Sequence, residues 1–297
     1  MNCSISPICL FVYNRPDETK KAITALQLNF LASKSDLYIF SDGPKNYKDS
    51  LNVKSVRDYI SSVSGFKSIT ISSSEENKGL ANSVIDGISK IIALSGKVIA
   101  LEDDLITTPN FLNFMNQALD FYEKDKQVFS ISGYSSDLQS LSDYNKDYYV
   151  NYRASSWGWG TWIDRWSLVD WEVKTYPKFK YNIFEQIRFM RGGSDLPRML
   201  KMQMKGKINS WAIRWCYCQF LYNMITINAS KSKLDNIGFN INATHNKRVK
   251  KAHCKLDKTD KENFIFDVNP TINNKLIVEC RKIFSFSSRF KNKFLLM

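Results

Sequence analysis

Through the first half of the chain, apolar positions follow two alternating spacings. Short runs rich in β-branched and aromatic residues occur at Ile5 to Tyr13, Leu37 to Ser41, Lys67 to Ser72, Lys97 to Leu101 and Val128 to Ser132, and each predicts a strand. Between them, apolar residues recur at helical spacing over Asp17 to Ala32, Lys48 to Ser62, Gly79 to Leu94 and Pro109 to Glu123. The last of these has Thr108 as its expected N-cap and Pro109 as its first helical residue. Strand alternating with helix predicts an α/β fold of Rossmann type, a mostly parallel sheet flanked by helices on both faces. In such a sheet ligands collect beyond the carboxyl ends of the strands.

The pattern changes near residue 150. All seven tryptophans lie between Trp157 and Trp215, beginning with SSWGWGTWIDRW, and helical spacing is expected near Ile183 to Arg191, Leu196 to Lys205 and Ala212 to Tyr222. The chain therefore divides into an α/β half (1–150), a Trp-rich, mainly helical half of the same globule (151–245) and a basic C-terminal extension (246–297). There is no internal repeat and no Pro/Gly/Ser-rich linker.

Charge sharpens this picture. The formal net charge is +13, and from Asn246 to Met297 there are 13 Lys or Arg against 5 Asp or Glu. The excess is thus concentrated at the end of the chain, which disfavours a nucleic-acid groove through the main body. In RKIFSFSSRFKNKFLLM, Phe286, Phe290 and Phe294 recur at helical spacing among Arg289, Lys291 and Lys293. That pattern suits either an anionic membrane surface or docking onto the protein's own body. The six cysteines make no CxxC pair and no zinc spacing with His245 and His253, so reduced thiols are expected. The N-terminal run ISPICLFVY lacks a preceding basic region, and no stretch approaches eighteen apolar residues, so a cytoplasmic protein is expected.

Polar and charged groups gather at four successive strand ends: Tyr13-Asn14-Arg15, Ser41-Asp42-Gly43, Glu75-Glu76-Asn77-Lys78-Gly79 and Glu102-Asp103-Asp104. Three adjacent carboxylates directly after a buried strand repel one another and lose hydration, so a cation is expected among them. Mg²⁺ or Mn²⁺ suits such hard oxygen donors and typically takes one or two carboxylates plus phosphate oxygens and water. Asp42 is either an acceptor for a nucleobase or ribose, or an ordinary turn aspartate before glycine. Arg15 suits a base or diphosphate, and Lys78-Gly79 opens a helix whose N-terminus favours an anion. Indole faces at Trp157 and Trp159, with Gly158 between them, either offer a stacking surface for a sugar or pack as core, whereas Trp162 and Trp166 read as core.

The order VYNRPD, SDG, ENKGLANSV, VIALEDDL, SSWGWGTWIDRW and NIGFNINATH resembles bacterial nucleotide-sugar-dependent glycosyltransferases of the GT-A fold, family 2-like, over about Ile5 to His245. It is distantly similar to the animal N-acetylglucosaminyltransferase I group. The resemblance implies transfer of a hexosyl or N-acetylhexosaminyl group, with inversion, from a nucleotide diphosphate donor, a UDP-sugar first. The acceptor it implies is a hydroxyl of a glycan or lipid-linked oligosaccharide in surface polysaccharide synthesis. It places Tyr13, Asn14, Arg15, Lys78 and Gly79 near the nucleotide, Asp42 at the base, and Glu102 and Asp103 at ribose or donor sugar. Asp104, in a DxD-like position, would hold the metal, with His245 completing the metal or diphosphate site. Where the animal group has a WDDW-like stretch, this chain reads INSWAIRW, with Ala212 and Ile213 in place of acids. Trp211 and Arg214 fall on the acceptor side, and Asp195 is the substitute base, with a helix N-cap as its alternative role. The rival functions are a non-catalytic nucleotide-sugar or glycan-binding module and a nucleic-acid-binding protein.

Overall fold

The structure, a computed structural model, describes residues 5–238 and 254–285. The first half runs β1 (Ile8–Val12), α1 (Pro16–Gln27), β2 (Asp36–Ser41), α2 (Tyr47–Ile60), β3 (Ser68–Ser73), α3 (Leu80–Ser95), β4 (Lys97–Glu102), β5 (Leu105–Thr107), α4 (Phe111–Phe121) and β6 (Val128–Ser132). The second half adds β7 (Tyr148–Asn151), β8 (Trp159–Trp162), α5 (Ile163–Trp166), α6 (Tyr176–Phe179), α7 (Ile183–Phe189), α8 (Leu196–Met204), α9 (Trp211–Leu221), β9 (Ile225–Ala229), β10 (Leu234–Asn236) and α10 (Asn274–Ile283).

Among the described residues, eight strands form one sheet in the order β3-β2-β1-β4-β8-β6-β9-β7. β1 pairs in parallel with β2 and β4, β2 with β3, and β6 with β9, while β8 runs antiparallel between β4 and β6 and β7 antiparallel at the edge. The expected mixed α/β architecture is therefore present. Side-chain alternation explains the two layers of helix. Ile8, Leu10, Val12, Ile99 and Leu101 face one side with Ile23, Leu26, Val56 and Ile60 of α1 and α2. Cys9, Phe11, Val98 and Ala100 face the other with Val84 and Ile88 of α3 and Trp215 of α9. Strands covered on both faces read as continuous apolar runs, which is why β1 and β4 stand out in the sequence.

Several details differ from the sequence expectation. The helix after β5 starts at Phe111 with Asn110 at its cap, two residues later than predicted. Thr108 does not cap it with its side chain; the hydroxyl turns to Asn110 Oδ1 at 2.8 Å, and the Asn110 amide donates to Asp257 and to the carbonyls of Thr259 and Lys261. Three strands that the helical expectation for the second half omits, β7, β8 and β9, complete the sheet. Within the basic extension, residues 254–285 pack back on the body: Lys233 and Asp257 form a buried ion pair, and Phe264 and Phe266 join Phe114 and Tyr122. Phe286, Arg289, Phe290, Lys291, Lys293 and Phe294 lie outside the described residues. No helix among the described residues is long and apolar enough to cross a membrane.

Phe111 connects this core to the ligand edge. Its ring is fully buried and lies directly under Gly133 and Gly158, where a Cβ would meet ring carbons at 2.6 and 3.1 Å. Phe111→Ala removes that support and is expected to cost about 3–5 kcal/mol of stability, read as a lower urea midpoint. A loss below about 1 kcal/mol would contradict this packing role.

Candidate functional site

The order reverses between β1 and β4: from β1 the chain steps outward to β2 and β3, then returns to β4 on the opposite side. Such a switch leaves a crevice at the carboxyl ends of the two strands, because their following loops turn in opposite directions. Arg15 follows β1, and Glu102, Asp103 and Asp104 end β4. The Arg15 guanidinium lies 2.8 Å from Asp104 Oδ2 and 3.7 Å from Asp103 Oδ1. The cation that the carboxylate triplet demands is thus supplied in part by the chain itself. Arg15 is an internal counter-ion, a role that its place in the sequence does not reveal.

One guanidinium does not balance three carboxylates. Burial, followed by the charges of Asp104 and Asp103, pushes Glu102 up to about 8. Burial and then Asp104 push Asp103 up to about 7, against the pull of Arg15 and the Tyr13 backbone N–H. Burial raises Asp104 as well, although Arg15 opposes it. The Asp103 carboxylate also accepts from the Tyr13 backbone N–H at 3.2 Å, which ties the two strand ends together.

Asp104 is enclosed by residues outside the expected set. Asn236 donates its side-chain amide to Asp104 Oδ1 at 3.3 Å, and the Ile237 N–H donates to the Asp104 carbonyl at 2.9 Å. Gly238 sits against the carboxylate so closely that a Cβ there would lie 2.0 Å from Oδ2. Only a residue without a side chain permits this approach. The stretch NIGFNINATH stands out by resemblance, but nothing local to it says that its first residues cross Asp104. His245, later in that stretch, lies outside the described residues.

Tyr13 and Asn14 are fixed by another residue that carries no sequence signal. Asp49, in the first turn of α2, accepts from the Tyr13 hydroxyl and from the Asn14 amide, each at 2.9 Å. Burial pushes the Tyr13 phenol up to about 12. Asp42 takes the structural one of its two expected roles. Its carboxylate accepts backbone N–H groups of Gly43, Lys78 and Gly79, each at 2.9 Å, so two of its hydrogen bonds brace the loop between β3 and α3 and a third closes its own turn. Lys78 pairs with Asp86 at 3.3 Å and lines an open cavity of about 670 Å³ with Glu75, Asn77 and Asn82. The triplet does not line that cavity.

The tryptophan expectations divide. Trp157 is half-buried at the ligand edge, edge-on to Tyr134 with ring centroids 4.6 Å apart. Gly158, at φ 51°, turns the chain into β8. Trp159 and Trp211 are buried, with centroids 5.0 Å apart, and Trp159 also packs on Trp166 and Trp215. Their indole faces are covered by neighbouring rings, so they are core, which corrects their assignment to sugar stacking. Trp162 and Trp166 are buried as expected. Arg214 is also committed elsewhere, to the carbonyls of Ser210 and Trp171 and to the Asn209 side chain. Asp195 stands at the start of α8 without capping it through its side chain; both its oxygens accept from Arg153, at 2.9 and 3.2 Å, and the residue is 2% exposed. A buried carboxylate held at both oxygens by a guanidinium anchors structure, and this corrects its reading as a base.

Among the described residues, no three His, Cys, Asp or Glu side chains converge on one point. The triplet is therefore not a three-ligand cage. Its donor chemistry still fits Mg²⁺ or Mn²⁺, because those ions bind through one or two carboxylates and leave the remaining positions to phosphate and water. A second cavity, about 380 Å³, lies past the ends of β6 and β9 and is lined by Ser135, Leu138, Ser230, Lys231, Lys255 and Lys258 among others. β6 and β9 are parallel to each other, and both β4 and β6 run antiparallel to β8, so this cavity shares the sheet edge that carries the triplet.

No family model matches the chain, and no curated protein matches it. Among solved structures, it is similar to S. aureus TarS 1-349 in complex with UDP, at 10% identity and TM-score 0.42, covering 77% of this chain and 59% of that one. A second S. aureus TarS structure has 12% identity and TM-score 0.36, covering 56% of this chain and 30% of that one. Mannosyltransferase PcManGT from Pyrobaculum calidifontis, in complex with GDP-Man and Mn2+, has 12% identity and TM-score 0.31, covering 42% and 34% respectively. The chain spans less than two thirds of each of these proteins, and likenesses this distant decide nothing about its substrate or cofactor.

The raised carboxyls make stability depend on pH. The folded protein keeps protons on Glu102 and Asp103 at pH values where the unfolded chain, with carboxyls near their ordinary value of about 4, has released them. Stability from this source is complete below about pH 4 and is lost as pH rises through about 7 and 8. In metal-free buffer the melting temperature should fall from mildly acid to mildly alkaline pH, and Glu102→Gln with Asp103→Asn should flatten the fall. An unchanged slope in the double variant would contradict the electrostatics described.

Proposed function

We propose that the chain is a glycosyltransferase that moves a sugar from a nucleoside-diphosphate donor to a hydroxyl of a glycan acceptor. The observation that carries this is the meeting of Arg15 and the carboxylate triplet at the paired ends of β1 and β4, the position where an α/β sheet opens a ligand crevice. The sequence resemblance to nucleotide-sugar-dependent enzymes supports it.

In this proposal Asp104, with Asp103 beside it, would hold a Mg²⁺ or Mn²⁺ ion. When bound, such an ion stabilises negative charge on the departing diphosphate. The chain's own contribution is orientation. Arg15 and Asn236 hold the two oxygens of Asp104, the Tyr13 N–H holds Asp103, and Asp42 fixes the Lys78–Gly79 backbone at the start of α3. Fixed dipoles and charges need no rearrangement during the reaction, which is where such sites gain most of their rate. Glu102, half-buried at the end of β4, is placed in this proposal toward the ribose or donor sugar, and Trp157 toward the acceptor.

We further propose a UDP-sugar, hexosyl or N-acetylhexosaminyl, as donor, inversion at the transferred carbon, and an acceptor belonging to a bacterial surface polysaccharide such as O-antigen or capsule. These finer assignments follow the motif resemblance. A module that binds a nucleotide sugar without turnover is the alternative separated by the same experiment.

Release of nucleoside diphosphate from a panel of UDP- and GDP-sugars, with Mn²⁺ and mixed glycan acceptors, tests the proposal. Turnover is expected for the wild type and a loss of about a hundredfold or more for Asp104→Asn. Turnover unchanged by that substitution would overturn the site, and donor binding with no turnover would favour the binding module.

A further inference from the structure

A second surface, on α6, α7 and the turn between them, has no role in the donor site. Tyr181 is 80% exposed, Ile183 68%, Phe184 85% and Ile187 58%. Isolated exposed apolar residues are ordinary, but four within seven residues form a patch. Its origin is local. α7 is only two turns long, is capped by Asn182 accepting from the Glu185 N–H, and anchors itself through Phe189. Phe189 packs on Phe179, Tyr217 and Phe220, with centroids 5.7, 5.6 and 4.9 Å apart. With that face turned inward, Ile183, Phe184 and Ile187, at positions i, i+1 and i+4, are left together on the outward face.

The segment also carries an excess of positive charge. Residues 176–191 contain Lys178, Lys180, Arg188 and Arg191 against one carboxylate, Glu185, which already pairs with Arg188 at 3.0 Å. Lys180 Nζ lies 4.5 Å from the Tyr181 ring. Exposed aromatic and aliphatic side chains with lysines at their margin are the chemistry of a helix that lies in a bilayer interface, where rings enter the acyl boundary and ammonium groups stay among headgroups.

We propose that residues 176–191 dock this protein on a membrane leaflet rich in anionic lipid. Charge complementarity selects that occupant over the chain's own remaining residues. α10 ends beside residues 190–194, where the Phe284 ring lies 3.9 Å from the Arg153 guanidinium carbon and the Phe284 carbonyl accepts from the Ser194 hydroxyl. The sequence that follows Ser285, FSSRFKNKFLLM, carries three cations and no Asp or Glu. Two cationic segments repel each other, whereas both complement the same anionic surface. The membrane contact is thereby placed on a folded surface of the body, and it needs neither donor nor metal, so its failure would leave the proposed sugar transfer untouched.

Co-sedimentation of the full chain with vesicles tests this directly. The wild type is expected to bind phosphatidylcholine vesicles containing phosphatidylglycerol, to bind pure phosphatidylcholine far less, and to weaken as salt rises. Phe184→Gln with Ile187→Gln should reduce binding about tenfold or more, and Lys178→Gln with Lys180→Gln should reduce preference for the anionic vesicles by roughly tenfold. Both pairs are exposed, so melting temperatures should stay at the wild-type value; if the apolar pair fails to fold, the lysine pair supplies the reading. Binding unchanged by these substitutions, equal binding to neutral vesicles, or a dimer in sedimentation velocity that the apolar pair dissolves would each overturn the proposal. So would loss of all binding on Arg289→Gln, Lys291→Gln and Lys293→Gln with none on changes in residues 176–191.

Discussion

The site depends on one electrostatic constraint: three carboxylates sit at the end of a buried central strand with, among the described residues, one guanidinium paired to them. Arg15 reaches Asp104 and Asp103 across the β1–β4 pairing, and without it the end of β4 would gather three like charges in a poorly hydrated place. Even so, Glu102 and Asp103 remain displaced upward to about 8 and about 7. The folded chain therefore presents a local deficit of positive charge, which in the proposed function a bound cation offsets. The same deficit makes the protein alone less stable as its carboxyls ionise.

The surrounding structure serves to hold that deficit in place. Asn236 and Gly238 cover Asp104, Asp49 latches Tyr13 and Asn14, and Asp42 commits its oxygens to the loop before α3. Arg57 adds a brace, reaching the Ser41 hydroxyl and the carbonyls of Asp42 and Ser74. Behind β8, the packed rings of Trp159, Trp166, Trp211 and Trp215 form a rigid backing for the edge on which Trp157 stands. Dense ring packing of this kind resists rearrangement, so the core adds to what the loop braces hold. The cationic apolar patch on α7 is a separate device, since its chemistry addresses a surface and not a small anion.

What is legible in the sequence is whatever its local spacing encodes. β1, β4 and β6 are visible because a strand buried on both faces leaves an apolar run, β2 because its buried positions alternate, and α1 to α3 because a covering helix leaves a stripe. β8 is not, because Trp159-Gly160-Thr161-Trp162 is only four residues long, is interrupted by a glycine, and becomes a strand by insertion between β4 and β6. The triplet announces that a cation is needed, but not that Arg15 supplies one, since that contact exists only through pairing of distant strands. For the same reason nothing local distinguishes Asp42 as a brace, Asp195 as the partner of Arg153, or Trp159 and Trp211 as core.

In the proposed function the acidic end of β4 accepts a further cation together with a diphosphate. Titration calorimetry of uridine and guanosine diphosphates, in Mn²⁺ and in chelator, tests it with fewest intervening steps. Binding of at least one nucleotide is expected to require Mn²⁺ and to be lost on Asp104→Asn. Equal affinity in chelator, retained by that variant, would contradict it.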